Sequence, residues 1–333
     1  MKRPFNSRLF NLLIKTAVLL LLGYVLYYQV FARENIGDIK AVFWQRLDRQ
    51  HLSYLLLAAL LMPLNWAFET LKWQGLIRDF EPLSFWRSYR AVLGGVTFSI
   101  FTPNRIGEYG GRILFVRAEN NWKAVIATLV GSFSQLLVLL AVGLLGLIHY
   151  AGSYLELEPL MLRSLGFMGL VLVGAMVFSF YNIDLVVPLA RRLPFIHYLR
   201  PFAKQVSILQ DYDSPTLTRT LAFALARYTV YTLQYYLLLR FFGFQIPTLP
   251  ALTGIATIFL LQTSIPLPPL MGLFVRGEVA LQIWGIFSEN ELGILASSFS
   301  LWVLNLILPA LFGMVFILNT NVLKSLGYEN KSN

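Results

Sequence analysis

A chain of 333 residues that is 57% hydrophobic and only 13% charged, with a mean hydropathy of +0.63, cannot cover a water-facing globule. An average soluble domain is about 25% charged, so most of this surface must face lipid. The net charge of +10 comes with no basic, aromatic-interleaved patch clear of the apolar runs. That excludes a nucleic-acid partner and fits basic loops lying near anionic lipid. With no cysteine in the chain, disulfides and thiol chemistry are excluded as well.

A membrane span needs about 20 mostly apolar residues. Lys2, Arg3 and Arg8 precede the apolar run 12–30. That run is too long for a signal peptide, and no small-residue cleavage pattern precedes Arg33, so 10–31 reads as a retained first span. Segment 39–47, with Phe43, Trp44 and Leu47, is expected to form a short amphipathic helix at the outer interface. Span 52–71 follows, and Glu69 and Lys72 near its inner end read as an interfacial anchor. Segment 86–118 is apolar but broken by "TPNRIGEYGG". Spans 122–150 and 160–181 come next, then a loop, 182–215, in which Pro188, Pro194 and Pro201 are spaced among Arg191, Arg192, Arg200 and Lys204. Span 216–242 is followed by 248–286, broken by "TSIPLPPLMG", and by a last span at 292–318.

Charge decides whether the two broken segments are pairs of crossings or re-entrant hairpins. With a cytoplasmic amino terminus and two hairpins, the inner segments 1–9, 72–90, 117–123, 182–215 and 319–333 hold three, four, two, four and two Lys or Arg. The outer segments 32–51, 151–159, 243–247 and 287–291 hold four, none, none and none, and two of them carry the acids Glu156, Glu158, Glu289 and Glu291. Were 86–118 two crossings, the acidic loop would fall inside and the arginine-rich loop outside. Basic residues favour the cytoplasmic side, so the hairpins win.

The expected fold is therefore an all-α polytopic membrane protein, a single integral membrane domain over 1–333. It has about six full spans and two re-entrant broken-helix hairpins, or eight spans if the hairpin limbs cross. Halves 52–150 and 216–318 read as an inverted repeat, and 182–215 as a cytoplasmic interfacial loop. Inverted repeats with broken helices at matching positions mark transporters, whose site lies near the midplane.

The chemistry concentrates in the breaks. Pro103 and Gly107 open the first hairpin, and Pro268, Pro269 and Gly272 open the second. A helix restarting near Gly107 turns its free N–H groups and positive dipole end into the break, where a phosphate fits. Arg105 beside it offers a fork for phosphate oxygens. Glu108 either neutralises Arg112 one turn on, as an i,i+4 lock, or grips an amine or hydroxyl of a head group. Arg276 and Glu278 stand in the corresponding place in the second hairpin. Arg227, three turns into 216–242, either faces a cavity or snorkels to the interface. Gln135 and Gln262 read as interhelical glue. His51, His149 and His197 fall at span ends or in loops, so no histidine metal site is expected.

"TPNRIGEYGGR" resembles the first-repeat motif of the flippase-like membrane region of the lysylphosphatidylglycerol synthase family, a proline and small turn followed by Arg-Ile-Gly-Glu and an arginine. "PPLMGLFVRGEVAL", residues 268–281, is similar to that family's second-repeat motif. It departs at Leu270 and Met271, where glycines are usual, and at Gly277, which separates Arg276 from Glu278. The best-known members carry a soluble aminoacyl-transferase domain after the membrane part. With this sequence ending at Asn333, the resemblance implies lipid translocation and not lipid aminoacylation.

The function expected is thus a flippase-like transporter moving an anionic amphipathic lipid, a phospholipid or a polyprenyl-linked glycolipid, between leaflets. A membrane-embedded lipid head-group transferase, or a non-catalytic membrane partner of a separate lipid-modifying enzyme, are the alternatives. No nucleophile–base pair, metal-ligand cluster or nucleotide-binding loop is present, so neither an enzyme nor a cofactor is expected. The partners expected are the lipid substrate and such a separate lipid-modifying enzyme, with no nucleic acid. The location expected is the bacterial plasma (inner) membrane, with both termini cytoplasmic.

Overall fold

A computed structural model describes residues 7–28, 36–100, 102, 105–155, 157–185, 188, 206–264, 272–321 and 325. Pro103, Pro268 and Pro269, the loop residues Arg191, Arg192, Arg200 and Lys204, and the outer acid Glu156 lie outside the described residues. Within them the regular structure is helical. The elements in chain order are α1 (Ser7–Leu26), α2 (Ile36–Gln45), α3 (Arg49–Ile77), α4 (Phe85–Ser99), α5 (Gly107–Ile113), α6 (Asn121–Tyr154) and α7 (Pro159–Tyr181). They continue with α8 (Ser214–Phe241), α9 (Thr248–Ser264), α10 (Gly272–Trp284), α11 (Glu291–Trp302) and α12 (Leu308–Leu318).

Local chemistry sets where these helices start. Asp48 accepts from His51 N at 2.8 Å to cap α3. Asp213 accepts from Thr216 N at 3.0 Å to cap α8, and Asn290 from Gly293 N at 3.0 Å to cap α11. Pro159 opens α7, where its missing N–H is no loss. Four helices among the described residues are long and apolar enough to cross a membrane: His51–Ile77, Ala118–Tyr154, Pro159–Tyr181 and Glu291–Leu318. The last of these is α11 and α12 joined through a π-turn, Val303–Ile307, in which Leu308 N reaches back to Val303 O. Pro309 explains the local widening, because it has no N–H to continue the α-helical ladder. At 28 residues α8 matches these helices in length, but its Thr, Tyr and Arg content makes it less apolar. It lies along α3, with Gln234 Nε2 donating to Ala58 O at 2.9 Å.

The first broken segment folds back on itself. Helix α5 has only seven residues, roughly 10 Å of axis against a hydrocarbon core of about 30 Å, so it cannot cross. It packs directly on α4. A Cβ at Gly111 would sit 2.5 Å from Gly94 O, and one at Gly95 would sit 2.9 Å from Glu108 O, so the two backbones touch where glycines face each other. Helix α12 lies as close on the other side of α4. A Cβ at Gly313 would meet Leu93 O at 2.0 Å, and Thr97 Oγ1 donates to Ala310 O at 2.8 Å. The second broken segment has limbs of 17 and 13 residues, α9 and α10, with Gly254 under the ring of Trp284.

The order long helix, helical hairpin, long helix thus occurs twice, as α3–α6 and as α8–α12. Two hydrophobic cores hold the helices together, and each draws on both halves, the first taking in Ala310 and Met314 of α12 and the second Ala58 of α3. One gathers Trp73, Leu76, Val92, Val96 and Val130, and the other Tyr235, Ile258, Phe259, Ala280 and Trp284. Helix α7 packs on α6 and exposes Leu160, Phe167, Met168 and Leu170, an apolar surface suited to lipid tails. The segment expected to be amphipathic near 39–47 forms α2. It buries Ile39, sets Phe43 5.4 Å from Phe241 and leaves Trp44 exposed.

Candidate functional site

The turn between α4 and α5 carries the site's outer edge. Thr102 Oγ1 accepts from Gly107 N at 2.7 Å and so starts α5. Arg105 takes a left-handed backbone conformation, φ 59°, the only non-glycine among the described residues to do so. That region disfavours a side chain with a Cβ by about 1–2 kcal/mol, yet it carries a half-exposed arginine. The exposed side chain of Ile106 stands beside it.

From there a chain of charges runs inward. Arg105 Nη2 lies 3.3 Å from Glu108 Oε2. Glu108 Oε1 accepts from Arg112 Nη2, and the same nitrogen donates to Glu69 Oε1 at 2.7 Å. Glu69 is the hub. Its other oxygen lies 2.7 Å from Lys72 Nζ and 3.2 Å from Arg227 Nη1. Gln135 closes the far side, its Oε1 accepting from Arg227 Nη1 at 3.4 Å. Glu69, Lys72 and Arg112 are 5%, 2% and 1% exposed, so the centre of the cluster is buried, while Glu108 and Arg227 are partly buried and Arg105 is exposed. Arg227 stands 13 residues beyond Ser214, roughly 20 Å along α8, which puts the cluster deep between the helix ends.

Aromatic faces line it. The Arg227 guanidinium lies 4.9 Å from the Trp66 ring and that of Arg112 5.4 Å from the Trp73 ring, while Trp73 Nε1 is held by Thr128 Oγ1 at 2.9 Å. A buried amide pair sits on the same helix at Asn65, whose Nδ2 donates to Asn305 Oδ1 at 2.7 Å. It ties α3 to the π-turn of the other half.

Charge in a low-dielectric interior is costly unless paired, and it marks working sites in membranes. Here three helices from distant parts of the chain, α3, α5 and α8, each deliver charge to one place. What such an arrangement can do is hold an anion at its open edge while the carboxylates keep the cations in position.

The contacts unite Arg105, Glu108, Arg112 and Arg227, and they settle two open readings of position. Arg227 does not snorkel outward; it folds against Trp66 and Glu69. Glu108 and Arg112 do form the i,i+4 pair, but only as one link in a larger network. Glu69 and Lys72 differ from expectation. They are not an interfacial anchor, because α3 continues to Ile77 and buries both side chains under α5 and α8. The signal was present: a carboxylate within an apolar span is itself a candidate site. Gln135 serves as glue between helices, as expected, and its partner is Arg227. Arg276 and Glu278 are not brought to the cluster. Arg276 is half-buried, and Glu278 is exposed with Gln282 Nε2 donating to it at 3.4 Å. Gly272 begins α10, but the turn before it lies outside the described residues.

No curated protein matches the chain. The family described as the lysylphosphatidylglycerol synthase TM region matches residues 12–313, in keeping with the long apolar helices, and the chain belongs to that family of multi-pass membrane proteins.

Proposed function

We propose that this protein is a flippase-like transporter that moves an anionic amphipathic lipid between leaflets. The observation that carries the proposal is the buried charge cluster at the first hairpin, with Arg105 exposed at its rim. A phosphate docks on Arg105, and the tails stay in the surrounding lipid. A left-handed arginine fits this role, since strained backbone positions persist where function uses them. Family membership supports a connection to lipid transport or modification. In this reading 52–150 and 216–318 are inverted repeats in a bacterial plasma membrane with both termini cytoplasmic, and the protein performs no covalent chemistry.

Arg105 is the residue to test, because its removal leaves Glu108 paired with Arg112 and the buried network intact. In proteoliposomes the wild-type protein is expected to carry labelled anionic phospholipid between leaflets without altering it. Arg105→Ala should slow that transfer about tenfold, the worth of one charge-assisted hydrogen bond. Arg105→Lys should be impaired too, keeping the charge but losing the fork, while both variants elute as wild type from a sizing column. A wild-type rate in Arg105→Ala removes this residue from the site. Chemical conversion of the lipid points instead to a head-group transferase.

A further inference from the structure

Resting on that reading, we propose that the site selects a head group with two negative charges, a lipid diphosphate or phosphomonoester, over the single charge of an ordinary phosphodiester phospholipid. Charge balance sets this preference. Helix α3 contributes Glu69 and Lys72, the first hairpin Arg105, Glu108 and Arg112, and α8 Arg227. Among the described residues the other side chains that reach the cluster, Gln135 from α6 and the tryptophans of α3, are neutral. Four cations against two carboxylates leave a surplus of two positive charges in an interior where unpaired charge is expensive.

Three of the cluster's unsatisfied polar groups point the same way, and the fourth, Glu69 Oε2, is already ion-paired with Lys72 and Arg227. Nε of Arg112, Nε of Arg227 and Nε1 of Trp66 are buried and have no hydrogen-bond partner. All three are donors. A buried donor without an acceptor calls for an explanation, and an oxygen-rich anion supplies one where a further cation does not. A monoanion leaves one positive charge uncompensated. A lipid whose head group is net positive, such as lysyl-phosphatidylglycerol, adds to the surplus.

The test uses the full chain in neutral-lipid nanodiscs and three added lipids with the same dioleoyl tails: phosphatidylglycerol, lysyl-phosphatidylglycerol and diacylglycerol diphosphate. Binding is read by native mass spectrometry. The diphosphate is expected to bind about tenfold more tightly than phosphatidylglycerol, and the lysylated lipid most weakly. Arg227→Gln lowers the surplus to one and should shrink the diphosphate preference to about threefold or less. Arg105→Gln does the same from the exposed rim and serves if Arg227→Gln fails to fold. Phosphatidylglycerol binding as tightly as the diphosphate overturns the proposal, as does a preference unchanged in both variants. If no anionic lipid binds better than a neutral one, the anion-site reading itself falls, and this inference with it.

Discussion

Glu69→Gln is expected to be the most damaging single substitution in the chain. Glu69 contacts three cations, Lys72 at 2.7 Å, Arg112 at 2.7 Å and Arg227 at 3.2 Å. Glutamine keeps the shape and removes the charge, so the cluster's surplus rises from two to three around a buried centre. Breaking a buried ion pair on one side costs about 3–5 kcal/mol, because the partner stays charged and uncompensated. For a membrane protein in detergent that means aggregation or a thermal midpoint lowered well below wild type. Adding Lys72→Met returns the surplus to two and should recover part of the loss. The check is the thermal unfolding of both variants by fluorescence size exclusion. A double mutant less stable than Glu69→Gln would show that Lys72 is not held in place by charge compensation.

Gly111→Leu should be nearly as severe for a different reason. A Cβ at 111 meets Gly94 O at 2.5 Å and Gly95 Cα at 2.6 Å, and both are backbone atoms that cannot rotate away. The leucine must push α5 off α4, taking Arg112 away from Glu69. Overpacking a tight contact costs about 1–3 kcal/mol, and loss of the Arg112 pairing adds to it. Gly110 is the internal control. It lies in the same short helix with nothing within 4 Å of a new Cβ, so Gly110→Ala should be neutral or stabilising by about 0.5–1 kcal/mol. The two variants are compared by yield and thermal midpoint. Equal behaviour would mean that α4 and α5 do not pack as described.

Much of this was legible in the sequence, and the reason is specific. Apolar run length marked the long helices, and proline and glycine clusters marked the two breaks, because a backbone in lipid tolerates few other signals. Arg105, Glu108 and Arg112 stood out as charges in an apolar segment. Their partners did not. Glu69 and Arg112 are 43 residues apart and meet only because α5 folds back against α3, a fact of packing that no local pattern encodes. Glu69 and Lys72 looked interfacial because an apolar run fades there, whereas the helix continues for five more residues to Ile77. The network also changes what a charge swap means. Exchanging Glu108 and Arg112 would restore a simple i,i+4 pair, but here it sets a carboxylate at position 112 against Glu69 and an arginine at 108 against Arg105. A dead double swap therefore reports the network and not a substrate contact. The π-turn at Val303–Ile307 was not legible, because Pro309 in an apolar run of this length reads as part of an ordinary span.

The central claim is that an anionic head group sits at the mouth of the charge cluster. A photoactivatable benzophenone side chain in place of Ile106, exposed beside Arg105, samples that mouth directly. The same group in place of Leu170, 72% exposed on α7, samples bulk lipid. After irradiation in membranes, mass spectrometry of the adducts at Ile106 should show anionic lipid enriched severalfold over the bilayer, and adding Arg105→Ala should lower the enrichment. Adducts at Leu170 should mirror the bilayer. Adducts at Ile106 with the same lipid composition as those at Leu170 would contradict the account.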